Sequence, residues 1–442
     1  MKRVIASSLG VCCLLLFATA ARAYNTGGII VWPVPFYPGS GIVQITDLQA
    51  LALEAMGYPG GALFNKVKVK VYTLEGEEVN SGMFPGYPAI WNGRDRSGNR
   101  VEPGMYIIKV ESEDVRNGLH GTRTVKVQAN GRSRGTFTRA GFVGGKYVAM
   151  GRNGEVTADD VYSIYWNPAG LTELRHAQIL TEKEIKEKAE KGKVDDISEA
   201  ELIRFSEEEK RFSVQVAASG SMLTFGANTA FFGMAINLPT GVLGIGSYTI
   251  FSGGVGRMDY NGVRTGTLDY LATAGYISYG VSLGVTSLGF SVKALYEKIG
   301  NDYYLGCGTD IGTQVYLLPF LKIGLMVQDL GTGMYPMVKR AGIDQTYAFA
   351  YPTLKLGIAV ITNRNFTIAV SGIKKLDVKT FGYSIGAQYD IMKWASIYIG
   401  LKDLVFSAGL TFHVVRFDVS YAFTMDTITK GFNHIASATV MF

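Results

Sequence analysis

Between Phe212 and Phe442, apolar and polar residues alternate with period two, segment after segment. Phe417, Val419, Tyr421 and Phe423 share one parity, while Arg416, Asp418, Ser420 and Thr424 occupy the other. Leu321, Ile323, Leu325 and Val327 oppose Lys322, Gly324 and Gln328, and Thr309, Ile311, Thr313 and Val315 oppose Gly308, Asp310, Gly312 and Gln314. Successive side chains of an extended chain point to opposite faces, so each segment is a strand with one apolar face and one polar or glycine face. A soluble sandwich and a membrane barrel both alternate in this way, and strand length separates them. Sandwich strands run about 5 to 6 residues, whereas these run about 9 to 11, the span that a tilted strand needs to cross a bilayer. Tyr and Phe recur near the segment ends, as interfacial girdles would. The pattern predicts an all-β chain with an antiparallel transmembrane β-barrel over residues 212–442. Strands are expected near 242–251, 268–280, 288–297, 304–317, 320–328, 353–361, 365–373, 381–391, 395–402, 404–413, 415–424 and 434–442, with another ending at Leu238. One more before the charged stretch at 181 makes about 14.

Three further segments precede the barrel. Residues 24–132 read as a small β-sandwich domain. Lys66 to Tyr72 alternates strictly, with Val67, Val69 and Val71 on one face and lysines on the other; Tyr106 to Val110 and Thr122 to Val127 read as later strands, and Trp91 as a core anchor. Residues 133–180 are rich in small residues and are expected to hold a short helix near Thr157 to Tyr165, stopped at Asn167 because Pro168 biases it toward extended backbone. The paired Asp159 and Asp160 fit helix capping better than metal binding, since no His or further carboxylate stands nearby in sequence. Residues 181–211 form a charged helical insertion: between Thr181 and Lys210 there are 11 acidic and 7 basic residues.

Composition sharpens this outline. Residues 1–23 have a basic start, an apolar stretch and an Ala21-Arg22-Ala23 end, the form of a cleaved secretory signal peptide. Removing Lys2, Arg3 and Arg22 from the 43 basic residues leaves 40 against 37 acidic ones, a balance that is no nucleic-acid signature. Cys12 and Cys13 leave with the signal, so Cys307 has no intrachain partner.

The residues also carry two resemblances. Val71 to Val79, Trp91-Asn92-Gly93-Arg94-Asp95, Ser97-Gly98 and Pro103-Gly104-Met105-Tyr106 look like the FlgD-type immunoglobulin-like module, whose members are structural or adhesive. From about Ala140 onward the chain resembles PorV/PorQ-type barrels, relatives of the FadL fatty-acid transporter family. The matching pieces are Asp159-Asp160 with Trp166 to Leu171; Ser291 to Glu297; Asp310-Ile311-Gly312; Leu325 to Gly331; Pro352 to Gly357; Gly386 to Tyr389; and Asp418 to Phe423. This resemblance implies a 14-stranded barrel whose hatch motif, Asp159, Asp160, Asn167, Pro168, Ala169 and Gly170, belongs to an N-terminal plug in the lumen. Gln388 stands where Glu is usual. The terminal Phe442 looks like the assembly signal of bacterial outer-membrane barrels, implying contact with the barrel assembly machinery and outer-membrane lipid.

Enzyme chemistry finds little footing. Gly280 to Gly284 and Gly382 to Gly386 fit G-x-S-x-G, yet Ser384 falls mid-strand at lumen parity and neither motif opens a helix. His120, His176, His413 and His434 lack metal-ligand spacing. Asp95 to Asn99 fits a hairpin turn better than a calcium loop. The expectation is a non-enzymatic outer-membrane protein without cofactor or metal. By resemblance to PorV it serves protein export or surface attachment in a type IX-like pathway, with secretion proteins as partners and the Ig-like module docking them. The alternative is FadL-like passage of hydrophobic small molecules, and a structural anchor comes third. Passage calls for apolar lumen surface near the hatch, a docking platform for an exposed apolar rim. From loop lengths, the insertion is expected outside the cell and the Ig-like domain in the periplasm.

Overall fold

The computed structural model describes residues 29–32, 34, 38, 42–47, 66–74, 76–114, 119–129, 133–174, 214–259, 264–338, 347–362, 365–376, 381–392, 394–414 and 416–442. The expected signal peptide, the charged insertion and His176 lie outside these residues.

The N-terminal part holds two small antiparallel sheets. One joins β1 (Ile29–Trp32), β2 (Val43–Asp47) and β5 (Ala89–Trp91); the other has the order β4 (Glu78–Phe84), β3 (Lys66–Thr73), β6 (Gly104–Asp114), β7 (Leu119–Ala129). Val67, Val69 and Val71 are buried on one face of β3, as the alternation requires, and Trp91 packs edge-on against Tyr106 at 5.7 Å in the core. Asp95 accepts from the backbone N–H groups of Ser97 and Asn99 at 2.8 Å, closing the turn expected there.

The barrel strands are β8 (Val214–Met222), β9 (Ala227–Leu238), β10 (Gly241–Met258), β11 (Arg264–Leu283), β12 (Thr286–Ile299), β13 (Asp302–Leu318) and β14 (Leu321–Pro336), followed, after the two-residue β15 (Ala348–Phe349), by β16 (Thr353–Thr362), β17 (Phe366–Lys375), β18 (Gly382–Met392), β19 (Ala395–Lys402), β20 (Val405–Val414), β21 (Phe417–Met425) and β22 (Phe432–Met441). Each pairs antiparallel with its neighbours, β13 with β14 and β22 with β8, so 14 strands close a ring around a lumen without a free edge. Outward residues such as Ile277, Val292, Ile358, Val370, Ile399 and Val419 are exposed and apolar, whereas inward Ser291, Lys293, Asp310, Ser371 and Thr411 are buried. That inversion is what lipid outside and polar contacts inside require. Aromatic contacts mark both rims: Trp394–Phe412 and Phe366–Tyr389 at one, Phe406–Phe423 and Phe423–Phe432 at the other. No helix among the described residues is long and apolar enough to cross a membrane; the strands do so.

Three expectations change. The fourteenth strand does not precede the insertion: the first barrel strand is β8, which pairs with the C-terminal strand through Val216↔Val440 and Ala218↔Ala438, and residues 133–174 contain no strand. Strands β10, β11, β13 and β14 have 16 to 20 residues, longer than expected, because this side of the wall continues beyond the opposite rim. The expected arrangement of module and insertion is also reversed. The short connections lie at the Phe442 end, and both flanks of the insertion are there: Glu173 pairs with Lys322 beside the β13–β14 turn, and Val214 pairs with Phe442. The N-terminal module instead meets the opposite mouth, among the β10–β11, β17–β18 and β21–β22 connections.

Candidate functional site

The chain enters the lumen at Ser133 and runs through it as a series of short turns. These are 3-10 turns at Thr136–Arg139 and Pro168–Thr172 and single helical turns at Gly145–Ala149, Gly154–Thr157 and Ser163–Trp166. Gly144 and Gly151, at φ of 71° and 74°, reverse the chain on either side of the first helical turn, a conformation that a side chain would strain. The segment thereby folds back on itself and fills the barrel as a hatch.

The hatch motif sits at its centre. Asn167 is extended, at φ −164° and ψ 108°, as the following proline dictates. Its side-chain oxygen accepts from Ala169 N–H, and its amide donates to the carbonyls of Glu155 at 2.6 Å, Thr313 at 3.3 Å and Leu325 at 3.4 Å. One side chain thus ties two hatch turns to β13 and β14. Pro168, Ala169 and Gly170 are buried beneath the wall. Asp159 and Asp160 share Lys146, at 2.5 and 3.3 Å; Asp159 also accepts from the Tyr147 hydroxyl at 3.0 Å and Asp160 from Tyr162 N–H at 2.9 Å, while the turn Ser163–Trp166 has Tyr162 at its N-cap and no side-chain cap, so neither aspartate caps it as expected. Among the described residues, no group of three or more His, Cys, Asp or Glu could hold a metal ion.

Wall glycines make the fit close. A Cβ at Gly289 would overlap the Pro168–Ala169 peptide, one at Gly312 the Asn167 amide, one at Gly324 the Glu155 carbonyl, and ones at Gly386 and Gly400 the backbone near Met150. All face the lumen on different strands, so the wall recedes wherever hatch backbone approaches it. Hydroxyl and amide groups supply the remaining contacts. Ser437 accepts from Gly145 N–H at 2.8 Å, Ser407 donates to the Ala149 carbonyl at 3.0 Å, and Gln314 donates to the Ala158 carbonyl at 3.1 Å.

Two clusters distinguish the two halves of the plug. At its start, Arg139 pairs with buried Asp329 at 2.6 Å, Thr138 donates to the same carboxylate at 2.9 Å, and Lys293 bridges Asp329 and Asp310, at 2.8 Å from Asp310. Two cations and two carboxylates balance, which is what permits their burial. Deeper in, Tyr165 meets Tyr248 at 5.0 Å and Trp166 at 5.2 Å, Tyr162 meets Phe231 at 5.3 Å, and Tyr276 lies 6.4 Å from Tyr165. Phe231, Tyr248 and Tyr276 belong to the wall, so the hatch covers an aromatic face of the lumen.

The sequence reading had none of these wall partners. Lys293 and Asp310 carried the one available signal, charge at lumen parity on neighbouring strands. The histidines also find partners unseen in the spacing. His413 lies 2.7 Å from Asp418 and 3.0 Å from Ser396, distances that would suit a nucleophilic triad. Ser396 donates its proton to Asp390 at 2.6 Å, however, making this a hydrogen-bond chain across the wall, which Gln388 joins by donating to Asp390 at 2.9 Å. Ser384, from a G-x-S-x-G match, is likewise buried and donates to Asn153 of the hatch.

No protein-family model matches the chain, and no curated protein matches it; the PorV/PorQ and FlgD-type likenesses stay resemblances of sequence. Among solved structures, similarity is found to the CymD monoaromatic hydrocarbon channel, with 14% identity over 68% of this chain and 98% of that one and a TM-score of 0.45. The Pseudomonas putida toluene transporter TodX shares 11% identity over 67% of this chain and 97% of its own, with a TM-score of 0.43. A Pseudomonas aeruginosa FadL homologue shares 9% over 52% of this chain and 90% of its own, with a TM-score of 0.35. At these scores the closed ring of 14 strands rests on its own pairing.

Proposed function

We propose that the protein is a hatch-gated channel of the outer membrane that passes small hydrophobic molecules along the aromatic wall now covered by the hatch. The carrying observation is that wall: Phe231, Tyr248 and Tyr276 line the lumen, and their partners Tyr162 and Tyr165 both sit on the hatch. A hatch held through hydrogen bonds, the Asp329 charge cluster and the Glu173–Lys322 pair can exchange those contacts for water when it shifts, and its departure leaves an apolar strip inside an otherwise polar lumen. The aromatic lumen face supports passage over the export reading drawn from sequence, which stands as the alternative. The test is uptake of radiolabelled toluene, chosen for its match to an aromatic lining, by cells whose outer membrane otherwise excludes it. Expression should raise uptake several-fold, and the Tyr248→Asp/Tyr276→Asp variant should abolish the gain while still assembling. Equal uptake with and without the protein would refute the reading. Capture of secretion proteins by a form that carries no toluene would return export to first place.

A further inference from the structure

The two mouths of the barrel are not alike. The rim carried by β10 to β14 is tall, the rim carried by β16 to β22 is low, and the N-terminal module sits in the notch between them. Against the tall side, Val34 and Met258 exchange backbone hydrogen bonds of 3.0 and 2.9 Å, and Lys126 donates to the Gly253 carbonyl at 2.8 Å. Against the low side, Thr427 donates to the Gly76 carbonyl at 2.9 Å, and Glu77 is held by Lys375 through both oxygens, at 2.7 and 2.6 Å. Between module and hatch lies a chamber of about 1280 Å³, roofed by Tyr72, Glu78 and Tyr106 and floored by Phe137, Ala140 and Val148.

From this geometry we infer that the module is a second gate, a cap over the hatch, and that Glu77 is its latch. The inference rests on the channel reading but concerns a different part of the chain. Glu77 projects from the β3–β4 turn toward cations drawn from the two other components: Lys375 and Lys402 from the wall and Arg152 from the hatch. Lys375, Lys402 and Arg152 hold the Glu77 carboxyl down at about 2, so the latch is ionised throughout the physiological range. The Glu77 side chain is still 47% exposed, so the bond is open to solvent and salt and suits a contact that opens. The remaining seats include backbone and single hydrogen bonds around the chamber, beside apolar side chains of module, hatch and wall that belong to one continuous core. Passage then meets two closures in series, with the chamber between them.

The experiment reads the position of the cap and does not need transport. Lumen-facing Thr424 lines the chamber and is 4% exposed. With Cys307→Ser as background, Thr424→Cys in purified detergent-solubilised protein is reacted with a bulky maleimide. Glu77→Lys, which sets a fourth cation among three, should raise the labelling rate at least threefold. Lys375→Glu alone should do the same, and Glu77→Lys with Lys375→Glu should return the rate to that of the parent. Rescue by the second reversal excludes misfolding as the cause. Parental labelling in the single variants, or a double variant that stays fast, would overturn the latch. Failure here leaves toluene uptake free to succeed, and failed uptake leaves the labelling result standing.

Discussion

Replacing Gly324 by alanine adds one methyl group to the lumen wall, and the structure fixes what it meets. The new Cβ would overlap the Glu155 carbonyl oxygen and lie 2.7 Å from the Val156 Cα and 2.8 Å from the Glu155 carbonyl carbon. Carbon atoms pack at about 3.5 to 4.0 Å, so the hatch must retreat by about 1 Å. Rotation offers no relief, because the obstructing atoms are backbone. Overpacking of this kind costs about 1 to 3 kcal/mol, and that cost falls on the plugged state alone, since β14 keeps its pairing with β13 and β16 through the backbone. At 1.4 kcal/mol per factor of ten, the unplugged fraction should rise roughly 5- to 150-fold. Single-channel recording in planar bilayers reads this directly as longer or more frequent open events. Gly312→Ala, which meets the Asn167 amide from the adjacent strand, should act alike, whereas Gly275→Ala, with nothing within 4 Å of its Cβ, should be silent. Parental conductance in Gly324→Ala, with normal heat-modifiable mobility on gels, would refute the argument that the wall glycines seat the hatch.

Further outcomes follow from the same contacts. Val419→Arg puts a charge on the lipid face at a cost of about 2 to 4 kcal/mol near the bilayer midplane and should block membrane insertion; Ser420→Arg, which faces Gly145 of the hatch, should insert normally yet raise conductance, both read by heat-modifiable mobility and bilayer recording. Arg139→Met leaves Asp329 and Asp310 with Lys293 alone; loss of one member of such a buried cluster costs about 3 to 5 kcal/mol, and pairing it with Asp329→Asn should recover part of the lost plugging in the same recordings. In intact cells, Met83→Cys on the module should react with an impermeant maleimide while Val285→Cys in the β11–β12 turn does not, because short turns face the periplasm; the reverse would invert the molecule. The Glu77 carboxyl is held below its ordinary 4.5 at about 2, so its latch contribution is complete above pH 4.5 and is lost only as pH falls through about 2; the Thr424→Cys labelling rate falls with the thiolate fraction as pH drops, but its ratio between the parent and Glu77→Lys should stay constant from pH 8 to pH 5.

How far the sequence reaches depends on what each residue answers to. Alternation reports two faces and nothing else, so it placed Ala395–Lys402 to the residue and most other strands within a few residues. It failed where a strand answers to more than lipid. In β8, Val-Gln-Val-Ala-Ala-Ser-Gly-Ser-Met carries little contrast between faces, because its inner side packs against the hatch: the Ser219 hydroxyl accepts from Gly144 N–H, and the Ala218 carbonyl accepts from Tyr162. With that strand missed, the fourteenth was placed ahead of the insertion and not after it, and a displacement by one strand exchanges the two ends of the barrel, which is why the insertion and the module were assigned to the wrong mouths. The tall ends of β10 and β14 were lost for a related reason: register shifts at Ser252/Val255 on β10, and at Cys307/Thr309 opposite Gly333 and Leu330 of β14, interrupt the period where the wall rises beyond the rim. The hatch contacts lie a level further down. Asn167 could be read as a helix stop from its proline neighbour alone, but its bonds to Thr313 and Leu325 depend on how a non-repeating segment is threaded through a closed ring, and period two holds no information about that. What survives in the sequence is the imprint on the other partner. A lipid-facing glycine has no packing reason to recur, so lumen-parity glycines at 289, 312, 324, 386 and 400, spread over five strands, mark the surface against which something else in the chain must lie.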